Sequence, residues 1–174
     1  NTKQYALSHF LPRWYPHFKE QTFETFVFSN DDSINHWLEE TDWKEFFIKD
    51  EVKSLTTSRG SVARNKKEVW EIINLLRYFG SDGDICIRKY HKLINETEKR
   101  HFVFEGKIYS ENETHLNKEI KTLVENFACP FFSFDTIEDT KGKQWIVEIG
   151  NGQVSSFKWK EDAINNFYSI LKGD

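Results

Sequence analysis

Phe131-Phe132-Ser133-Phe134-Asp135-Thr136-Ile137 and Gln144-Trp145-Ile146-Val147-Glu148-Ile149 are two apolar runs, each carrying one acid, with Thr140-Lys141-Gly142-Lys143 between them. Their aromatic and β-branched content reads as two strands, and the Gly-containing link reads as a hairpin turn. If the chain closes through those four residues, 139 faces 144, 137 faces 146 and Asp135 faces Glu148. Like charges directly opposite one another destabilise a sheet, and an unpaired charge in so apolar a setting is costly. Something must neutralise the pair. A magnesium ion, which takes hard oxygen ligands and shares them with phosphates, is one answer. A nearby lysine or arginine, or a different register, is the other.

Upstream, Glu105-Gly106 is a two-residue hairpin signal between strands at Arg100–Phe104 and Lys107–Ser110. Thr22–Ser29, Phe46–Leu55 and Asp84–Ile94 read as further strands, with a polar loop at Thr56–Ser61. Lys66–Phe79 sets Val69, Ile72, Ile73, Leu76 and Phe79 at helical spacing ahead of Gly80. Asn117–Phe127 and Glu161–Leu171 are also helical, and Asn30-Asp31-Asp32-Ser33 caps a helix at Ile34–Glu40. The opening through Phe10–Phe18, broken by Pro12 and Pro16, reads as an irregular covering segment. Antiparallel hairpins mixed with packing helices give an α+β fold class. Residues 1–40 form an N-terminal segment with a short strand and helix, and 41–174 form the main domain.

The net charge of −4 and pI near 5.9 disfavour a protein that tracks nucleic-acid backbones. The basic residues Arg59, Arg64, Lys66 and Lys67 suit a solvated helix start. Sixteen Phe and six Trp supply large rings for a core. Cys86 and Cys129 lie in apolar stretches, as buried thiols do. No apolar run is long enough to span a membrane and no secretory signal opens the chain, so no membrane partner is expected and the default compartment is cytoplasmic. The chain starts at Asn1 and holds no Met, which leaves room for a processed or trimmed start. The histidines lack metal-ligand spacing, and neither a Walker-type Gly-Lys-Ser/Thr nor a GxGxxG motif is present.

Two pairs of cations remain. In one strand Lys49 and Lys53 share a face, with α-carbons about 13 Å apart, and could bracket a polyphosphate. The same alternation also suits the solvated face of an edge strand. Arg88 and Arg100 stand on neighbouring candidate strands. A guanidinium matches phosphate or carboxylate through two donors, although Glu96 and Glu98 offer Arg100 a surface ion pair.

The order of these features resembles the ATP-grasp superfamily, and most closely a bacterial and phage clade within it. The likeness rests on Phe47-Ile48-Lys49-Asp50-Glu51-Val52-Lys53-Ser54, Ile87-Arg88-Lys89-Tyr90, Glu98–Lys107, and above all Trp145-Ile146-Val147-Glu148-Ile149-Gly150-Asn151-Gly152-Gln153-Val154-Ser155. It spans residues 40 to 172. The resemblance implies two α+β lobes with antiparallel sheets around a nucleotide cleft, a smaller lobe at 41–84 and a larger one at 85–174. It implies that Lys49, Lys53 and Arg88 contact ATP, that Arg100 acts on phosphate or on the reacting carboxylate, and that Asp135 and Glu148 bind Mg2+. Many ATP-grasp enzymes carry a metal-binding Asn two residues after the Glu. Gly150 holds that place here, which leaves Asn151 as the candidate third ligand.

The activity so implied is an ATP- and Mg2+-dependent ligase that joins a small-molecule or peptide carboxylate to an amine through an acyl phosphate. The alternative is a non-catalytic ATP-binding adaptor or regulatory module.

Overall fold

Two helices, α1 (Thr2–His9) and α2 (Leu11–Phe18), open the chain in the computed structural model, which describes residues 2–112 and 115–172. This corrects the irregular opening that the prolines suggest. Pro12 lies in the first turn of α2, where a missing N–H leaves no helical bond unmade. Leu11, Trp14 and Phe18 fall on one face of α2 and are at most 1% exposed. Burying each contributes on the order of 1.5–3 kcal/mol, which together outweighs the ~3 kcal/mol that Pro16 costs inside a helix.

Strands β1 (Thr25–Phe28), β2 (Phe46–Asp50), β3 (Val62–Ala63) and β4 (Ile85–Lys89) form an antiparallel sheet in the order β1-β4-β2-β3. Helices α3 (Asp31–Glu40) and α4 (Lys66–Tyr78) begin at Asn30 and Asn65, whose side chains accept the N–H of Ser33 at 2.9 Å and of Glu68 at 3.0 Å. Both helices pack on the sheet face that carries Phe28, Phe46, Ile48, Ile85 and Ile87. Side chains alternate along a strand, so the opposite face carries Thr25, Lys49, Cys86 and Arg88.

The strand expected over Phe46–Leu55 stops at Asp50. The Asp50 carboxylate accepts the N–H groups of Val52 and Lys53, and the Asp50 N–H donates to the Lys53 carbonyl at 3.0 Å. Aspartate favours such turns because its short side chain bonds the backbone two residues on. The chain therefore doubles back, setting Ser54 opposite Lys49. The strand expected over Asp84–Ile94 is likewise broken at Tyr90–Lys92, where the chain leaves the first sheet for the second.

The second sheet has the order β6-β5-β7-β8, from β5 (Leu93–Phe104), β6 (Lys107–Ser110), β7 (Phe131–Asp139) and β8 (Gln144–Asn151). Glu105 and Gly106 turn β5 into β6 with φ of 49° and 75°, the double positive φ of a type I′ hairpin. One face of this sheet, with Val103, Phe132, Phe134 and Ile149, packs on Trp14 and Phe18 of α2 and on Ile120 and Val124 of α5 (Lys118–Glu125). Cys86 reaches into the same cluster, so the two sheets share a core. On the other face Phe102 packs with Trp159 and with Phe167 of α6 (Glu161–Lys172). The fold is thus α+β, as expected. No helix among the described residues is long and apolar enough to cross a membrane.

Candidate functional site

Asp135 does face Glu148, but by a different path from the one the turn suggests. Thr136, Ile137 and Glu138 pair with Ile146, Trp145 and Gln144, so the hairpin loop is one residue longer than expected. A bulge at Val147 then shifts the register back and aligns Asp135 with Glu148, Phe134 with Ile149 and Ser133 with Gly150. Asp135, Glu148, Ser133 and Gly150 therefore share one face, together with Arg100, which pairs with Asp135 from β5.

The acids are neutralised by cations. Arg100 grips Asp135 through two bonds of 2.7 Å, Nε to Oδ1 and Nη2 to Oδ2, and its Nη1 donates to the Ser156 carbonyl at 2.8 Å. Burial pulls the Arg100 guanidinium down, but the bonds and charge of Asp135 raise it overall. Lys158 adds a contact of 3.3 Å to Asp135 and one of 2.7 Å to Glu98. Across the junction, Lys49 of the first sheet reaches Glu148 of the second at 3.3 Å and donates to the Val52 carbonyl at 3.0 Å. Lys49 is only 3% exposed; burial lowers its pKa, and Glu148 offsets this only in part.

Arg88 is a tie between the sheets. Its guanidinium donates to Thr22 Oγ1 at 2.6 Å, to Thr25 Oγ1 at 3.3 Å and to the carbonyl of the bulged Val147 at 2.7 Å. Phe23 and Trp14 lie under its charge at 5.0 and 5.9 Å. No carboxylate pairs with it among the described residues, and burial lowers its pKa to about 10.

Two expectations are corrected. Lys53 no longer shares a strand face with Lys49, because the Asp50 turn carries it out to an exposed position. Asn151 borders the same cavity as Glu148, but its side chain leaves the opposite face of the strand, one position beyond Gly150. Its amide is engaged there, with Nδ2 donating to Ser8 Oγ at 3.3 Å and Oδ1 accepting from Gln153 N–H at 3.0 Å.

A cavity of about 190 Å3 opens over the shared face, lined by Arg100, Ser133, Asp135, Glu148, Ser155 and His9 among others. That is less than the ~300–1,000 Å3 of most small-molecule pockets and suits a phosphate group with a cation. His9 and Lys158 were missed in the sequence, where neither carries a local signal; tertiary packing brings both in. His9 comes from α1, its ring stacked on Tyr5 at 4.6 Å. Burial lowers its pKa, with Glu148 opposing and Lys49 and Lys53 adding to the shift. Among the described residues no three His, Cys, Asp or Glu side chains converge as a ready metal cluster.

Over residues 10–171 the chain matches the family R2K_3, an ATP-grasp domain, family 3 of its clade. No curated protein sequence matches it. In fold it is similar to Cdc123 from Schizosaccharomyces pombe, at a TM-score of 0.68 and 11% identity, with 94% of this chain and 92% of that one covered. It is similar also to an ATP-grasp RimK domain protein from Sphaerobacter thermophilus, at 0.65 and 11% identity over 98% and 67%. A third neighbour is the macrocyclase MdnC from Microcystis aeruginosa, solved with its precursor peptide MdnA, at 0.63 and 14% identity over 99% and 62%.

Proposed function

Because the chain belongs to the ATP-grasp superfamily, we propose that it binds ATP with magnesium and activates a carboxylate for ligation to an amine or related nucleophile. The observation that carries this reading is the junction of the sheets, where Lys49 of one meets Glu148 of the other beside Arg100 and Asp135. Of the two buried cations there, Lys49 is paired with the partly exposed Glu148, and Arg88 has only hydroxyl and carbonyl partners among the described residues. Burial disfavours both positive charges, and a polyphosphate would stabilise them in a site already stripped of much of its water.

The donors also suit a hard cation. An ionised carboxylate offers about four lone-pair positions. Arg100 and Lys158 take three on Asp135, and Lys49 takes one on Glu148, so both acids keep acceptor capacity. Asp135 and Glu148 would hold the magnesium, which when bound neutralises charge on the phosphates.

In the reaction a substrate carboxylate oxygen takes the terminal phosphoryl group as ADP leaves. The amine nitrogen then bonds the acyl carbon as phosphate departs and the amine proton is lost. Lys49 would hold the phosphoryl group, and Arg100 would orient it or the carboxylate through its planar fork. His9 would accept the amine proton, because its lowered pKa keeps the ring neutral. Arg88 would act by fixing the Val147 carbonyl beside the nucleotide, and Lys53 would meet phosphate from the rim. Glu148→Gln and Lys49→Met should each lower ATP turnover about 10²–10³-fold across a screen of acids and amines, with circular dichroism unchanged. Turnover within about threefold of the parent in both variants would dispose of the ligase reading.

A second reading, a nucleotide-binding module without ligation, is favoured by one observation. Lys49, Arg100 and Lys158 pair with Glu148, Asp135 and Glu98, so side chains already balance the charge of these acids. Its signature is ATP binding with no ADP formed in the same screen.

A further inference from the structure

Gly150 lines the cavity, directly across from Ser133 and two residues beyond Glu148. Its φ is not in the left-handed region, where only Gly60, Gly80, Gly106 and Gly142 among the described glycines lie, so the backbone does not demand a glycine here. The surroundings crowd it instead: a Cβ at this position would lie 2.8 Å from Ser155 Oγ and 3.0 Å from Ser133 Oγ, so a larger residue fits only if these two hydroxyls turn away from their present places. Two hydroxyls thus occupy the volume that a side chain at 150 would fill, on the face that carries Asp135 and Glu148.

The hydroxyls are oriented. Ser133 Oγ donates to Ser155 Oγ at 2.7 Å, and Ser155 Oγ donates to the Asn151 carbonyl at 2.8 Å. A hydroxyl has one proton and two lone pairs. Ser155 has therefore committed its proton and one lone pair, and a second lone pair remains. The turn after β8 fixes the residue, since Ser155 N–H also donates to the Asn151 carbonyl at 3.1 Å.

We propose that Ser155 Oγ, oriented by Ser133, is the third protein oxygen of the cation site formed with Asp135 and Glu148, and that Gly150 is a glycine because this hydroxyl pair fills its side-chain space. The inference rests on the reading of a magnesium–nucleotide site in the preceding subsection. A hydroxyl suits magnesium, which takes hard oxygen donors and keeps several waters of its own. Asn151, turned to Ser8 on the far face, has no part in it.

The test uses Mn2+ as probe, its free fraction read by electron paramagnetic resonance, with a non-hydrolysable ATP analogue and the whole chain. Ser155→Ala should weaken Mn2+ binding about 10–100-fold, the range seen when a group supporting a metal site is lost, and Ser133→Ala should weaken it less. Adding Gly150→Asn to Ser155→Ala should restore binding, because an amide oxygen then enters the vacated space. Asn151→Ala should leave Mn2+ affinity within about twofold of the parent. Thermal melts of each variant establish that it is folded. Unchanged affinity in Ser155→Ala, or no recovery in the folded double variant, overturns the inference while leaving the nucleotide site standing. A parent chain that takes up no Mn2+ with the analogue overturns the cation reading itself, and this inference with it.

Discussion

Acid should weaken this protein through His101 before it protonates most carboxylates. The ring is fully buried in the second sheet, stacked on Phe134 at 4.7 Å, with Nδ1 2.7 Å from Ser110 Oγ and Nε2 3.0 Å from Thr136 Oγ1. Hydroxyls can donate or accept, so a neutral imidazole is satisfied at both nitrogens. Burial lowers its pKa from 6.5 to about 4, with Asp135 opposing and Lys99 adding to the shift. Between those values the unfolded chain binds a proton that the folded chain does not, so stability rises with pH there. His101's contribution is complete above about pH 6.5 and is lost as pH falls. At ~1.4 kcal/mol per unit the loss is about 2 kcal/mol by pH 5 and about 3 kcal/mol by pH 4. Native domains have only ~5–15 kcal/mol in all. Urea unfolding from pH 7.5 to 4.5 of the parent and of His101→Gln, whose amide cannot titrate, isolates the residue because every other group is common to both. The parent should lose about 2 kcal/mol more than the variant by pH 5. Parallel curves would refute the account of a buried, neutral ring.

Three other changes probe the same geometry. Arg88→Met removes three hydrogen bonds from a charged donor, each about 1.5–3 kcal/mol, but also relieves about 3 kcal/mol of burial cost at 1.36 kcal/mol per pKa unit. The net should be a loss of about 1.5–6 kcal/mol in chemical denaturation, with faster amide exchange at the sheet junction; a gain in stability would show that the tie is not needed. Arg100→Lys keeps the charge but loses the paired bonds to Asp135, and should cut ATP turnover at least about tenfold with little change in melting temperature. Parent-like turnover would argue that Arg100 acts as a charge alone. Pro16→Ala, at an exposed position inside α2, should raise stability by about 1–2 kcal/mol, since it restores a helical donor. No gain in the melting curve would mean that packing of Leu11, Trp14 and Phe18 alone sets the helix.

Side-chain period, turn chemistry and capping specify most of the strands and helices from residue 22 onward, the Glu105-Gly106 turn and the two acid-bearing strands, but not the turn at Asp50, the two-residue β3 or the break at Tyr90–Lys92. The facing of Asp135 and Glu148 emerged correctly although two local details did not, because the longer loop and the Val147 bulge offset one another. A bulge has no dependable local signature, and here its carbonyl is taken by Arg88, whose partner strand is 59 residues away. Tertiary structure alone decided the rest. The helical opening exists because its apolar face meets the second sheet, and that packing delivers His9 to the cavity. The side on which Asn151 falls follows from strand parity after the bulge. The neutralisation of the acids by Lys49, Arg100 and Lys158 required two sheets and a distant loop to meet, since charge balance in a buried site is a sum over groups that the chain keeps far apart in order.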